Sequence, residues 1–122
     1  RLVPIAQYDV LLELNAAPGR RLRMQQLSDR VVLSRSRVSR VVDEMEKVGL
    51  VRREPDPDDR RAAFAVITDD GRAALRKAAP VYLQGIEEEF LSHLTRAERT
   101  ALERSLRKVL DASRGEDGPG AP

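Results

Sequence analysis

"VDEMEKVGLVRREPDPDDRRAAFAVITDDG", Val42 to Gly71, decides the fold. Val42, Met45 and Val48 are spaced as on one helical face, and Gly49 follows them as a residue suited to the left-handed turn that ends a helix. "LVRRE" is short and ends before Pro55, which pushes Glu54 away from helix and removes a ladder donor. "AAFAVI" is β-compatible through Phe64, Val66 and Ile67, so the two runs read as an antiparallel hairpin with residues 55–61 at its tip. Thr68 then stands as the N-cap of a long helix, about 69–92, with Pro80 inside it as a candidate kink.

Working upstream, Ser34 is placed to cap the helix that ends at Gly49. Its apolar positions Val38, Val41, Val42, Met45 and Val48 predict one buried face. Met24, Leu27 and Val31 predict a helix of about two turns before it. Ile5, Tyr8, Leu11, Leu12 and Leu14 predict a helix over 4–16 that stops at Pro18-Gly19. Downstream, Thr95 and Glu98 of "TRAE" form a capping box that starts a last helix, about 96–113, with Leu102, Leu106, Val109 and Leu110 as its stripe. "RGEDGPGAP" has nothing to bury and is expected to be disordered.

The element order is helix, short helix, tight turn, helix, hairpin, long helix, helix. Two short helices around a tight turn, with a hairpin directly after, predict a mainly α (α+β) fold: a winged helix-turn-helix followed by long helices. Residues 1–68 form the winged domain, with the helix-turn-helix at 24–49 and the wing at 51–67. Residues 69–113 form a helical region and 114–122 a tail.

Composition agrees with one ordinary domain. The chain has 122 residues, 34% of them charged and no cysteine. No run approaches the roughly 18 apolar residues of a membrane span, so a soluble chain is expected. The lack of cysteine excludes disulfides, thiolate zinc and thiol redox chemistry, and agrees with a cytoplasmic setting. Charge is unevenly placed. Residues 20–53 hold ten Lys/Arg against four Asp/Glu, a surplus of +6 within a chain of net +2. A basic centre between acidic flanks is the footprint of a nucleic-acid-binding surface.

The first two turns after Ser34 offer Arg35, Ser36, Arg37, Ser39 and Arg40 without an acid, while Asp43, Glu44 and Glu46 crowd the second half. A recognition helix puts its N-terminal residues among base edges and phosphates, where arginine donates two bonds to guanine and serine reaches base or phosphate. Acids in those turns would repel DNA. A solvated helix face explains neither this segregation nor the basic hairpin beside it.

These residues resemble the helix-turn-helix and wing of the MarR (multiple antibiotic resistance regulator) family, most densely at "VDEMEKVGLVRR" and "DRRAAFAVITDDG". The resemblance implies a homodimeric transcription regulator, usually a repressor, that binds double-stranded DNA through a recognition helix in the major groove and a wing in the minor groove. It implies that Asp59 braces Arg61, which enters the minor groove, and that the terminal helices hold the dimer. An inserted arginine suits a narrow minor groove on physical grounds as well, because negative potential concentrates there. Arg60 is assigned to phosphate. Most of the family's preceding helix is missing here, so the N-terminal share of the dimer interface is expected to be lost or packed differently. A small apolar or phenolic ligand is also implied, with Tyr8, Arg23 and Tyr82 as candidate contacts whose alternative role is core packing.

Other chemistries fit less well. Asp56, Asp58 and Asp59 lack the glycine and glutamate of a calcium loop, and Arg60 and Arg61 would repel a cation. His93 is the single histidine, which leaves no histidine-rich zinc site within one protomer. Glu87, Glu88 and Glu89 have no nucleophile, metal or phosphate cradle with them, so neither catalysis nor a cofactor is expected. The competing functional reading is a winged-helix module for non-specific DNA packing or protein contact.

Overall fold

The computed structural model describes residues 2–117. Helix α1 (Ile5–Ala16) leads through a 3-10 turn at Pro18–Arg20 into strand β1 (Arg21–Arg23) and helix α2 (Met24–Arg30). Helix α3 (Arg35–Lys47) is followed by strands β2 (Val51–Asp56) and β3 (Asp59–Ile67), helix α4 (Asp69–Glu89), a 3-10 turn at Leu91–His93 and helix α5 (Arg96–Asp117). The chain forms two compact units, which divide between Val81 and Tyr82.

In the first unit, Tyr8, Val10, Leu11 and Leu14 of α1 are buried with Leu27 of α2 and Val38, Val41, Val42 and Met45 of α3. Val48 departs from the expected stripe and is 66% exposed. It is the C-cap of α3, where the backbone has left the helix (φ −100°, ψ 7°), so its side chain no longer follows the buried face. Gly49 comes next at φ 80°. Its N–H donates to the Glu46 carbonyl at 3.1 Å and the Leu50 N–H to the Met45 carbonyl at 2.9 Å. This paired closure satisfies orphan carbonyls at the end of α3 and turns the chain into β2.

The sheet is antiparallel in the order β1-β3-β2. "RLR" of β1 carries no strand signal in the sequence, because three residues are too short for a period-2 pattern; Leu22 is buried between exposed Arg21 and Arg23. The hairpin tip is narrower than expected. β2 runs through Pro55, which pairs with Ala63, to Asp56, and only Pro57 and Asp58 join it to β3. An edge strand tolerates proline because the missing N–H can face away from the ladder. Register shifts between Pro55 and Asp56, so Arg60, Arg61 and Ala62 have no partner on β2. The wing arginines therefore stand on an irregular, bulged stretch.

Thr68 caps α4 by accepting from the Gly71 N–H at 3.0 Å, and its hydroxyl lies 2.6 Å from the Gly49 carbonyl. One side chain thus joins the end of α3 to the start of α4. A Cβ on Gly71 would fall 2.1 Å from the Leu50 carbonyl oxygen, which explains glycine at the fourth position of "TDDG". α4 continues through Pro80 and ends at Glu89, three residues before the expected limit.

In the second unit the Thr95–Glu98 box forms in both directions, at 2.9 and 3.1 Å. The Thr95 N–H donating to Glu98 holds that carboxyl below the usual glutamate range. α5 extends through Arg114–Asp117, past the expected start of the tail at 114. Residues 118–122, the rest of that expected tail, lie outside the described residues.

Candidate nucleic-acid interface

Ser34 opens α3 by accepting from the Arg37 N–H at 3.2 Å, and its hydroxyl lies 3.3 Å from that of Ser36. Burying Val38, Val41, Val42 and Met45 turns the opposite face outward. Ser34, Arg35, Ser36, Arg37, Ser39 and Arg40 are consequently all exposed. Among the described residues, none of Arg35, Arg37 and Arg40 pairs with a carboxylate. Three unpaired guanidiniums and three hydroxyls occupy the helix end whose free N–H groups already favour anions.

The acids behind them are restrained. Arg53 of β2 reaches Asp43 Oδ1 and, at 3.0 Å, Glu46 Oε1 through Nη1, while its backbone N–H donates to Glu46 Oε2 at 3.2 Å. Its Nη2 lies 3.4 Å from the Ser39 carbonyl. This clamp ties the wing to α3 and offsets two negative charges next to the basic turns. Sequence reading missed it, since Arg53 was one basic residue in "VRRE" and only tertiary packing selects its partners.

At the wing tip Asp56 is 4% exposed. Its Oδ1 accepts from the Asp58 N–H at 2.9 Å and its Oδ2 from Arg23 Nε at 2.8 Å. The Asp58 N–H, with Arg23 beside it, holds the Asp56 carboxyl below the usual aspartate range. "DPD" is therefore a side-chain-closed turn, a role short polar residues favour. Asp59 Oδ1 accepts from the Arg61 N–H at 3.0 Å and lies 3.9 Å from Arg61 Nε. The Arg61 side chain is 95% exposed, and Arg60 is exposed beside it.

The remaining candidates are placed differently. Arg23 holds Asp56, and its guanidinium lies 5.5 Å from the Phe64 ring centre, with Arg21 at 4.1 Å. Tyr8 is buried in the core of the first unit, and Tyr82 is part-buried in the second.

A family model described as MarR family matches residues 3–62. Transcriptional regulator HosA of Escherichia coli O111:H- is 32% identical over 106 residues, which cover 87% of this chain and 76% of HosA. The chain belongs to the MarR family. Among solved structures, Sco3205, a MarR family transcriptional regulator from Streptomyces coelicolor in complex with DNA, superposes with a TM-score of 0.80 at 36% identity, covering 90% of this chain and 69% of Sco3205. The PcaV transcriptional regulator of the same organism, in complex with its natural ligand, gives 0.74 at 32% identity over 91% of this chain and 77% of PcaV. The mainly helical chain with a three-stranded sheet is thus a MarR-type winged helix-turn-helix, and no helix among its described residues is long and apolar enough to cross a membrane.

Proposed function

We propose that this MarR-family chain is a cytoplasmic transcriptional repressor that binds a pseudo-palindromic operator as a homodimer. The carrying observation is the unpaired Arg35–Arg37–Arg40 face on the first turns of α3, with the acids behind it drawn toward Arg53. Arg37 and Arg40 read guanine edges in the major groove, Arg35 and the serines meet phosphate or bases, and Arg61 enters the minor groove while Arg60 contacts phosphate. Asp59 orients the start of β3 for Arg61. The likeness to Sco3205, solved with DNA, supports this reading.

Leu106, Val109 and Leu110 of α5 are exposed in one protomer and sit on the helix expected to form the dimer. An apolar stripe on a helix of this length needs a cover, and a second copy supplies it. The likeness to PcaV with its natural ligand supports a small-molecule effector. Such a ligand releases DNA by favouring a spacing of the two recognition helices that does not fit the operator.

The test is a salt titration on operator and scrambled duplexes. Operator recognition gives a specificity ratio of about a thousandfold or more on top of a steep salt slope. A packing module gives the slope alone, and that result would overturn the reading.

A further inference from the structure

A crevice of about 580 Å³ lies at the root of the hairpin, away from the tip. It is bounded by Asn15 at the end of α1, Arg20 of the following turn, Arg52 of β2, and Asp69 and Arg72 of α4. Three features set it apart. The Arg72 Nε–H is buried without an acceptor, the only such side-chain polar atom found among the described residues. Arg20 adopts φ 54°, the only non-glycine residue with positive φ among them, and directly follows Gly19 at 67°. Neither Arg20 nor Arg72 pairs with a carboxylate among the described residues, while Arg52 is held by Glu54 at 3.0 Å.

Buried polar groups are rarely left unsatisfied, so an exception calls for a physical reason. Left-handed backbone at a non-glycine residue is retained where its surroundings hold it. Here it sets a second arginine among the residues that line the same cavity as Arg72. Two unpaired guanidiniums plus the Asn15 amide make a donor-rich site, and Asp69 alone among the lining residues opposes an anion. We propose that this crevice binds a small oxyanion, a carboxylate or phosphate group, with the Arg20 and Arg72 guanidiniums as its principal donors. Guanidinium pairs with such groups through parallel charge-assisted bonds. The site is separate from the α3 and wing-tip arginines, and it does not depend on operator recognition.

The experiment is an ¹⁵N spectrum of the arginine Nε–H groups in the full chain, titrated with inorganic phosphate and, separately, malonate at constant ionic strength. Loss of one cross-peak in Arg72→Lys assigns Arg72. Arg20→Gly removes the other guanidinium while relieving the left-handed backbone, so the variant keeps its fold. Saturable movement of the Arg72 signal by either anion, weakened about tenfold or more in Arg20→Gly, supports the site. Saturation by phosphate alone assigns a phosphorylated ligand, and by malonate alone a carboxylate. Linear drift with both anions, or saturation indifferent to Arg20→Gly, overturns the proposal. So does movement caused by a random duplex and by neither small anion, since the crevice would then be a DNA phosphate contact.

Discussion

Arg37 and Arg61 expose their charge in different ways, and their substitutions separate accordingly. Arg37 stands on a rigid helical turn, where a bidentate base contact discriminates by about 1–3 kcal/mol. Arg37→Ala should weaken operator binding by about tenfold or more while changing scrambled DNA little, measured by fluorescence anisotropy. Equal loss on both would demote it to a phosphate contact. Arg61→Ala should cost most on operators with a narrow A-tract minor groove. At Asp56 the depressed pKa makes the sign definite. Its stabilisation of the wing is fully present above the unfolded pKa near 3.9 and is lost only as pH falls through the lower folded value. The Asp58 amide signal should therefore stay native down to about pH 4 and move only below it. Loss of that signal between pH 6 and 5 would rule out this assignment.

Between elements, Thr68 and Arg53 make connections of different kinds. Thr68 caps α4 while its hydroxyl reaches back to the Gly49 carbonyl, so Thr68→Val removes a cap and leaves a carbonyl short of its donor. A loss of about 1–2 kcal/mol is expected in urea unfolding. Gly71→Ala should be at least as costly, about 2 kcal/mol, because backbone rather than a flexible side chain occupies the space. An unchanged midpoint for either would contradict the packing described. Arg53→Ala leaves Asp43 and Glu46 uncompensated near the proposed DNA face, and it should weaken all duplexes alike, opposite to the signature of Arg37→Ala. The hairpin and its following helix were readable from Gly49, Pro55 and Thr68 because each enforces a local backbone state. Pro55 misled only about where the strand stops, since an edge position removes the penalty that an interior ladder would impose.

For the whole molecule, the proposed homodimer rests on the exposed apolar stripe of α5. Leu106→Glu with Leu110→Glu should give a monomer by light scattering and lower operator affinity by about a hundredfold, with the wing signals unchanged. A dimer that survives the pair would place the interface elsewhere. With the dimer intact, the footprint should show dyad symmetry with half-sites about 10 base pairs apart. A footprint without symmetry would exclude paired recognition helices.

The order of elements, the capping residues and the segregation of arginine from acid along α3 are written locally in the chain, because each rests on neighbours within a turn or two. The lone "RLR" strand, the Arg53 clamp, the Arg23–Asp56 tie and the orphaned Arg72 donor were decided only by the tertiary structure. Each joins residues far apart in the chain or depends on what packing leaves unpaired, and no local spacing encodes that.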